Sequence, residues 1–155
     1  MSDTPLRYLA SDPLVFKVLN EIGIVAQLSR AALERATPEG LSGAGFNALN
    51  HLARLPGDKS PARLAAAFQV SKGAMTNTLQ RLEAEGYVRV AADPADGRAK
   101  LVTLTKKGLK ARDATVARLA PEMAALAAAL PKTLLADVLP GIAKLRAVMD
   151  AARDA

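Results

Sequence analysis

Leu14, Val18, Ile22 and Val25 recur at steps of three and four residues, and Val15, Leu19, Ala26 and Leu28 widen the same stripe. That period predicts an amphipathic helix. Asp12-Pro13 reads as its start, a capping carboxylate followed by proline at the first helical position, and Thr37-Pro38-Glu39-Gly40 ends it. Phe46, Leu49 and Leu52 mark a second helix, closed by Pro56-Gly57. Ser60-Pro61 opens a short third helix with Leu64, Ala65 and Phe68 inward. Gln69-Val70 makes a tight connection, Ser71 caps a fourth helix to about Glu85, and Gly86 ends it as a C-terminal glycine does. The period then shifts to two. Tyr87–Val90 and Leu101–Leu104 predict short strands, joined by the turn-forming loop Asp93–Arg98, whose Asp-Gly pair is the strongest hairpin signal. Thr105 can cap an Ala-rich helix to about Leu130, and Pro131 suits the start of a last helix carrying Leu134, Leu135, Val138, Ile142 and Leu145. Pro121 and Pro140 fall inside these two helices, where each removes a backbone donor, so a kink or break is expected near each.

The stripe from Leu14 to Leu28 is wider than one small domain usually covers, which points to a second copy of the chain as its partner. With 155 residues there is enough chain for one core and too little for most two-domain enzymes. Cysteine is absent, which excludes disulfides, thiolate metal sites, thiol nucleophiles and thiol-based sensing. His51 is the single histidine. Aromatic residues are 3% and tryptophan is absent, so the core must be Leu, Val, Ile and Ala, as suits closely packed helices. The opening Met-Ser-Asp-Thr-Pro has no basic stretch followed by an apolar one, and the most apolar run, Met123–Leu130, is far shorter than a membrane span. A soluble, cytoplasmic protein without membrane association is expected.

The net charge of +6 is localised. Between Arg54 and Arg112 there are twelve Lys or Arg and five Asp or Glu, while the flanks together are slightly acidic. A concentrated positive field attracts a polyanion, and nucleic acid is the leading one; a solubility surface is the plainer alternative.

A short helix, a tight turn, a second helix and a hairpin form the constellation with chemistry in it. In a helix-turn-helix the first helix braces the second, whose N-terminal turns meet base edges in the DNA major groove. Ala65 lets the two helices approach, Val70 fills the turn, and Met75, Leu79 and Leu82 form the buried face with Thr78 beside them. The opposite face then carries Gly73, Thr76, Asn77 and Gln80, with Lys72 and Arg81 on its flanks. Hydrogen-bonding side chains at the centre suit bases, and cations at the edges suit the two phosphate strands. Gly73 is either a tolerated surface glycine or a point of close approach to DNA. Glu83 and Glu85 lie further along and would be repelled by phosphate, so only the first three turns should enter the groove. The amides near Ser71 face the same way. In the hairpin, Arg98 and Lys100 make a cationic tip placed to reach the minor groove, and Asp96 is positioned to orient Arg98 by a charge-assisted hydrogen bond.

Residues 60–108 resemble the winged helix-turn-helix of the MarR family of bacterial transcriptional regulators. The ordered text is Leu64-Ala65, Val70-Ser71, Arg81-Leu82-Glu83, Gly86-Tyr87-Val88, Asp93-Pro94-x-Asp96-x-Arg98 and Leu104-Thr105-x-x-Gly108. The turn departs from the family in carrying Gln69 where glycine is common. The resemblance implies a mainly α fold with a small β-hairpin wing and with N- and C-terminal helices that interlock in a homodimer. It implies one MarR-like domain over 1–155, with dimerisation helices at 12–37 and 109–152 and the DNA-binding lobe at 41–108. It also implies that Asp96 positions Arg98 in the wing.

The candidate DNA contacts are therefore Ser60, Ser71, Lys72, Gly73, Thr76, Asn77, Gln80, Arg81, Asp96, Arg98 and Lys100. Relatives of this type bind small anionic or aromatic effectors between the dimer helices and the DNA-binding lobe. Asn20, Asn47, Asn50 and His51 are the polar residues placed to face such a pocket, although a histidine on a helix face more often serves structure. No nucleophile elbow, phosphate-binding loop or carboxylate pair is present, so an enzyme is not expected, nor a metal or cofactor. The reading is a homodimeric regulator, a repressor, on a pseudo-palindromic double-stranded operator, released by a small molecule. A winged helix that binds a protein partner, or a non-specific architectural DNA-binding protein, stays open beside it.

Overall fold

A computed structural model of the chain describes residues 8–55 and 60–153. The Pro56-Gly57 stop and the opening residues considered for a secretory signal lie outside the described residues. The elements run α1 (Leu14–Ala36), α2 (Gly43–Arg54), α3 (Pro61–Ala67), α4 (Lys72–Ala84), β1 (Val88–Ala92), β2 (Lys100–Leu104), α5 (Lys106–Ala129) and α6 (Leu134–Arg153). The chain forms two compact units, one up to Ala117 and one from Arg118 onward.

The core of the first unit comes from the residues whose spacing predicted it. Phe46, Leu49 and Leu52 of α2 meet Leu64 and Ala65 of α3, Met75, Leu79 and Leu82 of α4, Tyr87 just after α4, and Val88 and Val102 of the hairpin. Each fully buried leucine contributes roughly 1.5–3 kcal/mol of apolar transfer free energy. Three serines cap helices as an oxygen before an unsatisfied first turn should. Ser42 Oγ accepts from the Gly45 N–H, Ser60 Oγ from Arg63 and Ser71 Oγ from Ala74. The expected cap at Asp12 does not form. Pro13 itself occupies the N-cap position of α1, and the Asp12 carboxylate instead accepts the Leu9 N–H at 3.0 Å.

Both helices of the helix-turn-helix end alike. After α4 the Gly86 N–H donates to Glu83 O and the Tyr87 N–H to Leu82 O, with Gly86 at φ +72°. After α3 the Gln69 N–H donates to Ala66 O and the Val70 N–H to Ala65 O, with Gln69 at φ +52°. This is one capping motif used twice, and it needs a left-handed residue each time. Gln69 is the only non-glycine with positive φ among the described residues, and its side-chain Nε2 donates to Ala66 O at 2.8 Å. Left-handed backbone costs an L-residue about 1–2 kcal/mol. Gln69→Gly is therefore expected to stabilise the protein by about 0.5–1 kcal/mol and raise Tm by about 2 °C, after allowance for glycine's greater freedom when unfolded. A lower melting temperature would show that the side-chain bond outweighs the backbone strain.

Val70 corrects an expectation. It was to fill the turn, yet it is 42% exposed, because the left-handed step at Gln69 turns it onto the surface. The wing differs too. The strands begin at Val88 and end at Ala92 on one side, and pair in the register Val88↔Leu104, Val90↔Val102 and Ala92↔Lys100. Tyr87 belongs to the cap of α4 instead. The loop is longer than a two-residue Asp-Gly turn: the Asp93 N–H donates to Ala99 O, the Ala99 N–H to Asp96 O, and Gly97 lacks the positive φ such a turn needs.

Neither internal proline breaks its helix. α5 continues through Pro121 and α6 through Pro140. Ala117 and Ala136, whose carbonyls lose their partners, are both exposed, so water can satisfy them. The break comes between Ala129 and Leu134, with Pro131 in the intervening turn and not at the start of α6; its carbonyl takes the Leu134 N–H at 3.0 Å. No single helix among the described residues is long and apolar enough to cross a membrane.

The predicted stripe on α1 remains largely uncovered. Leu14 is 76% exposed, Val15, Val18, Val25 and Leu28 are exposed, and Ala36 is the one buried residue of α1. In the second unit Met123, Leu126, Leu135, Leu139, Ile142 and Val148 are likewise exposed.

Candidate nucleic-acid interface

Met75, Leu79 and Leu82 turn into the core and fix the rotation of α4. The opposite face is then determined by helical geometry, and Gly73, Thr76, Asn77 and Gln80 are all exposed on it. Lys72 and Arg81 are exposed on its flanks. Asn77 and Gln80 make no hydrogen bond among the described residues, so each amide has both donors and its acceptor available. The Thr76 hydroxyl is committed, donating to Lys72 O at 2.8 Å, which leaves a methyl group and acceptor lone pairs for a ligand. Ser71 caps the helix and keeps its oxygen on Ala74, so the first-turn amides of α4 lie beside it at the positive end of the dipole. Ser60 does the same for α3 and is half-buried.

Asp96 acts differently from expectation. Its Oδ1 accepts the backbone N–H of Arg98 at 3.0 Å, and no ion pair joins the two side chains among the described residues. A turn two residues long lets the carboxylate reach the main chain more readily than a guanidinium that extends outward. Asp93 behaves alike, accepting from the Ala95 N–H at 2.8 Å. Asp96 thus shapes the tip, and the exposed Arg98 guanidinium is left to extend from it. Lys100 opens β2, exposed, opposite Ala92.

The four polar residues proposed for an effector pocket are not brought together. Asn47 lines a cleft of about 440 Å³ with Arg30, Leu33, Phe68, Val70 and Met75. Asn20 is exposed and donates to the Tyr8 hydroxyl at 3.2 Å. Asn50 Oδ1 accepts from Nε and a terminal nitrogen of Arg112 at 3.1 and 3.0 Å, tying α2 to α5. The His51 ring lies 5.2 Å from that of Phe68, and burial, with Arg54 nearby, holds its imidazole below the usual histidine range. A larger cleft of about 620 Å³ lies beside the C-terminal half of α4, edged by Glu34, Glu39, Glu85 and Arg81. No group of side chains among the described residues fits a metal ion.

Sequence reasoning missed the joint that holds α4, the hairpin and α5 together. Thr105 Oγ1 lies 2.7 Å from Gly86 O and 3.1 Å from Tyr87 O, and it also accepts the Gly108 N–H at 3.0 Å. Lys107 Nζ donates to Glu85 O at 2.6 Å and lies 5.2 Å from the centre of the Tyr87 ring. A capping threonine directly after a strand was visible, but the Gly86 and Tyr87 carbonyls it meets just past α4 are nineteen and eighteen residues away in sequence. Glu83 is a further member, accepting the Val90 N–H of β1.

Residues 39–99 match a model of the MarR family. Solved structures share the fold over nearly all of both chains. Wild-type apo MarR from E. coli is 23% identical with a TM-score of 0.69, covering 90% of this chain and 98% of that one. The regulator Tm0710 from Thermotoga maritima is 26% identical with a TM-score of 0.57, covering 91% and 97%. CouR from Rhodococcus jostii RHA1, solved bound to p-coumaroyl-CoA, is 21% identical with a TM-score of 0.66, covering 92% and 96%. No curated protein matches the sequence. Of these, Tm0710 is described as a transcriptional regulator. Residues 39–99, which hold the helix-turn-helix and most of its wing, are thus similar to the MarR family, and the chain shares the fold of these solved structures.

Proposed function

We propose that this protein is a homodimeric, sequence-specific DNA-binding repressor acting on a pseudo-palindromic operator. The observation that carries the reading is the face of α4: Thr76, Asn77 and Gln80 are solvent-facing opposite a fully buried Met75–Leu79–Leu82 seam, between exposed Lys72 and Arg81. In this role Asn77 and Gln80 read adenine edges, Thr76 offers its methyl to thymine, and Lys72, Arg81 and the first-turn amides hold phosphates. Ser60, Ser71 and Gly73 border that surface, while Arg98 and Lys100 reach the adjacent minor groove from a tip shaped by Asp96. The helices at 12–37 and 109–152 supply the dimer contact through their exposed apolar faces, and two-fold symmetry sets half-sites about one helical turn, ~10 bp, apart. A cytoplasmic location goes with this role.

Release by a small molecule belongs to the same reading. The cleft beside Asn47 has the Arg30 cation and an apolar wall of Leu33, Phe68 and Met75, and it includes Ala74 and Thr78 of α4 itself. CouR, of the same fold, binds p-coumaroyl-CoA. A ligand with an anionic group and a flat apolar body fits both.

The test is a gel shift against genomic fragments, followed by sequencing of those the protein selects. Asn77→Ala is expected to lower affinity for the selected operator by about 1–3 kcal/mol while barely changing affinity for random DNA. Equal weakening on both would remove Asn77 from base reading. Equal wild-type affinity for all fragments would favour an architectural role, and no binding at low salt would favour a protein partner.

A further inference from the structure

Glu83 lies near the C-terminal end of α4, and its Oε1 accepts the Val90 N–H at 2.8 Å. The phase of the hairpin makes this bond informative. Just outside the ladder, the Thr105 N–H donates to Tyr87 O and the Asp93 N–H to Ala99 O. Hydrogen-bonded and non-bonded pairs alternate in an antiparallel ladder, so with Val90 opposite Val102 the polar groups of Val88, Val90 and Ala92 face away from β2. Among the described residues the sheet has two strands, and the Val90 N–H is a donor on the outer edge of β1. Glu83 occupies the place a third strand would take. Toward the base, Val88 and Val102 are buried in the core; toward the tip, Ala91, Ala92 and residues 94–98 are exposed. Among the described residues, the Glu83 bond is the tie between α4 and the hairpin that lies farthest toward Arg98.

We propose that Glu83 is a positioning residue for DNA recognition: its carboxylate locks the wing to the recognition helix at the angle from which Arg98 engages DNA together with Asn77 and Gln80. This role rests on the DNA-binding function proposed above. It reverses the simple electrostatic expectation, in which an acid near phosphate lowers affinity and its removal raises it. A carboxylate whose lone pair is already held by a backbone N–H contributes order to the wing, and the tip stands on that order.

The decisive experiment combines Glu83→Ala, Glu83→Gln, Arg98→Ala and the Glu83→Ala/Arg98→Ala double variant, measured as operator affinity on the full-length protein. Backbone hydrogen exchange at residues 88–92 is followed without DNA. Glu83→Ala is expected to weaken operator binding about fivefold to tenfold, the loss of one exposed charge-assisted bond. Glu83→Gln keeps an acceptor oxygen and should stay within about twofold of wild type. In the Arg98→Ala background, Glu83→Ala should change affinity by less than about twofold, because the contact it positions is gone. The Val90 amide should exchange faster in Glu83→Ala and at the wild-type rate in Glu83→Gln. Equal or tighter binding by Glu83→Ala, effects that multiply with Arg98→Ala, or unchanged Val90 exchange would each overturn the proposal. A wild-type protein that binds no DNA overturns the function itself, and this role with it, whatever the exchange shows.

Discussion

Gly108→Ala is expected to destabilise the protein by about 3 kcal/mol or more, which for a chain of this size lowers Tm by roughly 6–12 °C. Gly108 lies in the first turn of α5, and a Cβ there would stand 2.0 Å from Tyr87 O and 2.9 Å from Leu104 Cδ1. The carbonyl cannot easily retreat. It accepts the Thr105 N–H at 3.1 Å, and Thr105 Oγ1 lies equally close to it. Tyr87 is itself held by its N–H to Leu82 O at 2.8 Å and is buried in the core. An added methyl must therefore push α5 away from the end of α4 and the base of the hairpin together. Gly73→Ala is the control. The nearest atom its Cβ would meet is Ser71 Oγ at 4.0 Å, and alanine improves helix propensity by up to about 1 kcal/mol, so melting should hold or rise. Calorimetry on the two variants checks both. If Gly108→Ala melts with the wild type, the close packing of this joint is not a feature of the folded protein.

The second large effect falls on assembly. Leu14→Asp and Leu139→Asp are each expected to weaken self-association at least 100-fold, turning the protein monomeric at micromolar concentration in sedimentation. Leu14 is 76% and Leu139 67% exposed in the protomer, so a charge at either costs the isolated fold little. In the proposed homodimer the same carboxylate would be buried without a partner. That costs several kcal/mol, and about 2.7 kcal/mol already corresponds to 100-fold in Kd. Operator binding should fall with it, since a monomer holds one half-site only. Two variants that sediment as dimers and bind as wild type would assign these apolar faces to something other than a second copy.

Most of the helix-turn-helix and its hairpin was legible because its signals are local. Serine before a helix, glycine after one and apolar residues at helical spacing act within a few residues, and so Ser71, Gly86 and the Met75–Leu79–Leu82 seam were readable before any fold was known. The rotation of α4 followed from them, and with it the exposure of Asn77 and Gln80. The wing was readable as a hairpin with its loop at Asp93–Arg98, but the way that loop closes was not; the bond from the Asp93 N–H to Ala99 O joins residues six apart and leaves no mark at the Asp-Gly pair itself. The effector residues fared differently. Asn50 and His51 are polar positions on a helix, and whether such a side chain meets a cleft, Arg112 or Phe68 depends on the element packed against it.

Local periodicity and capping chemistry thus determined the order of elements and which face of α4 is exposed, and the placing of Lys and Arg along the chain determined the concentrated positive charge. Tertiary structure alone decided that Asp96 binds backbone, that Glu83 serves the wing, that Gly108 must lack a side chain, and that α5 and α6 run on through their prolines. The physical reason is range. A helix period or a cap is specified by neighbours within one turn, whereas a hydrogen bond between residues 83 and 90, or packing of Tyr87 O against Gly108 that leaves no room for a Cβ, exists only once the core has set where each element stands.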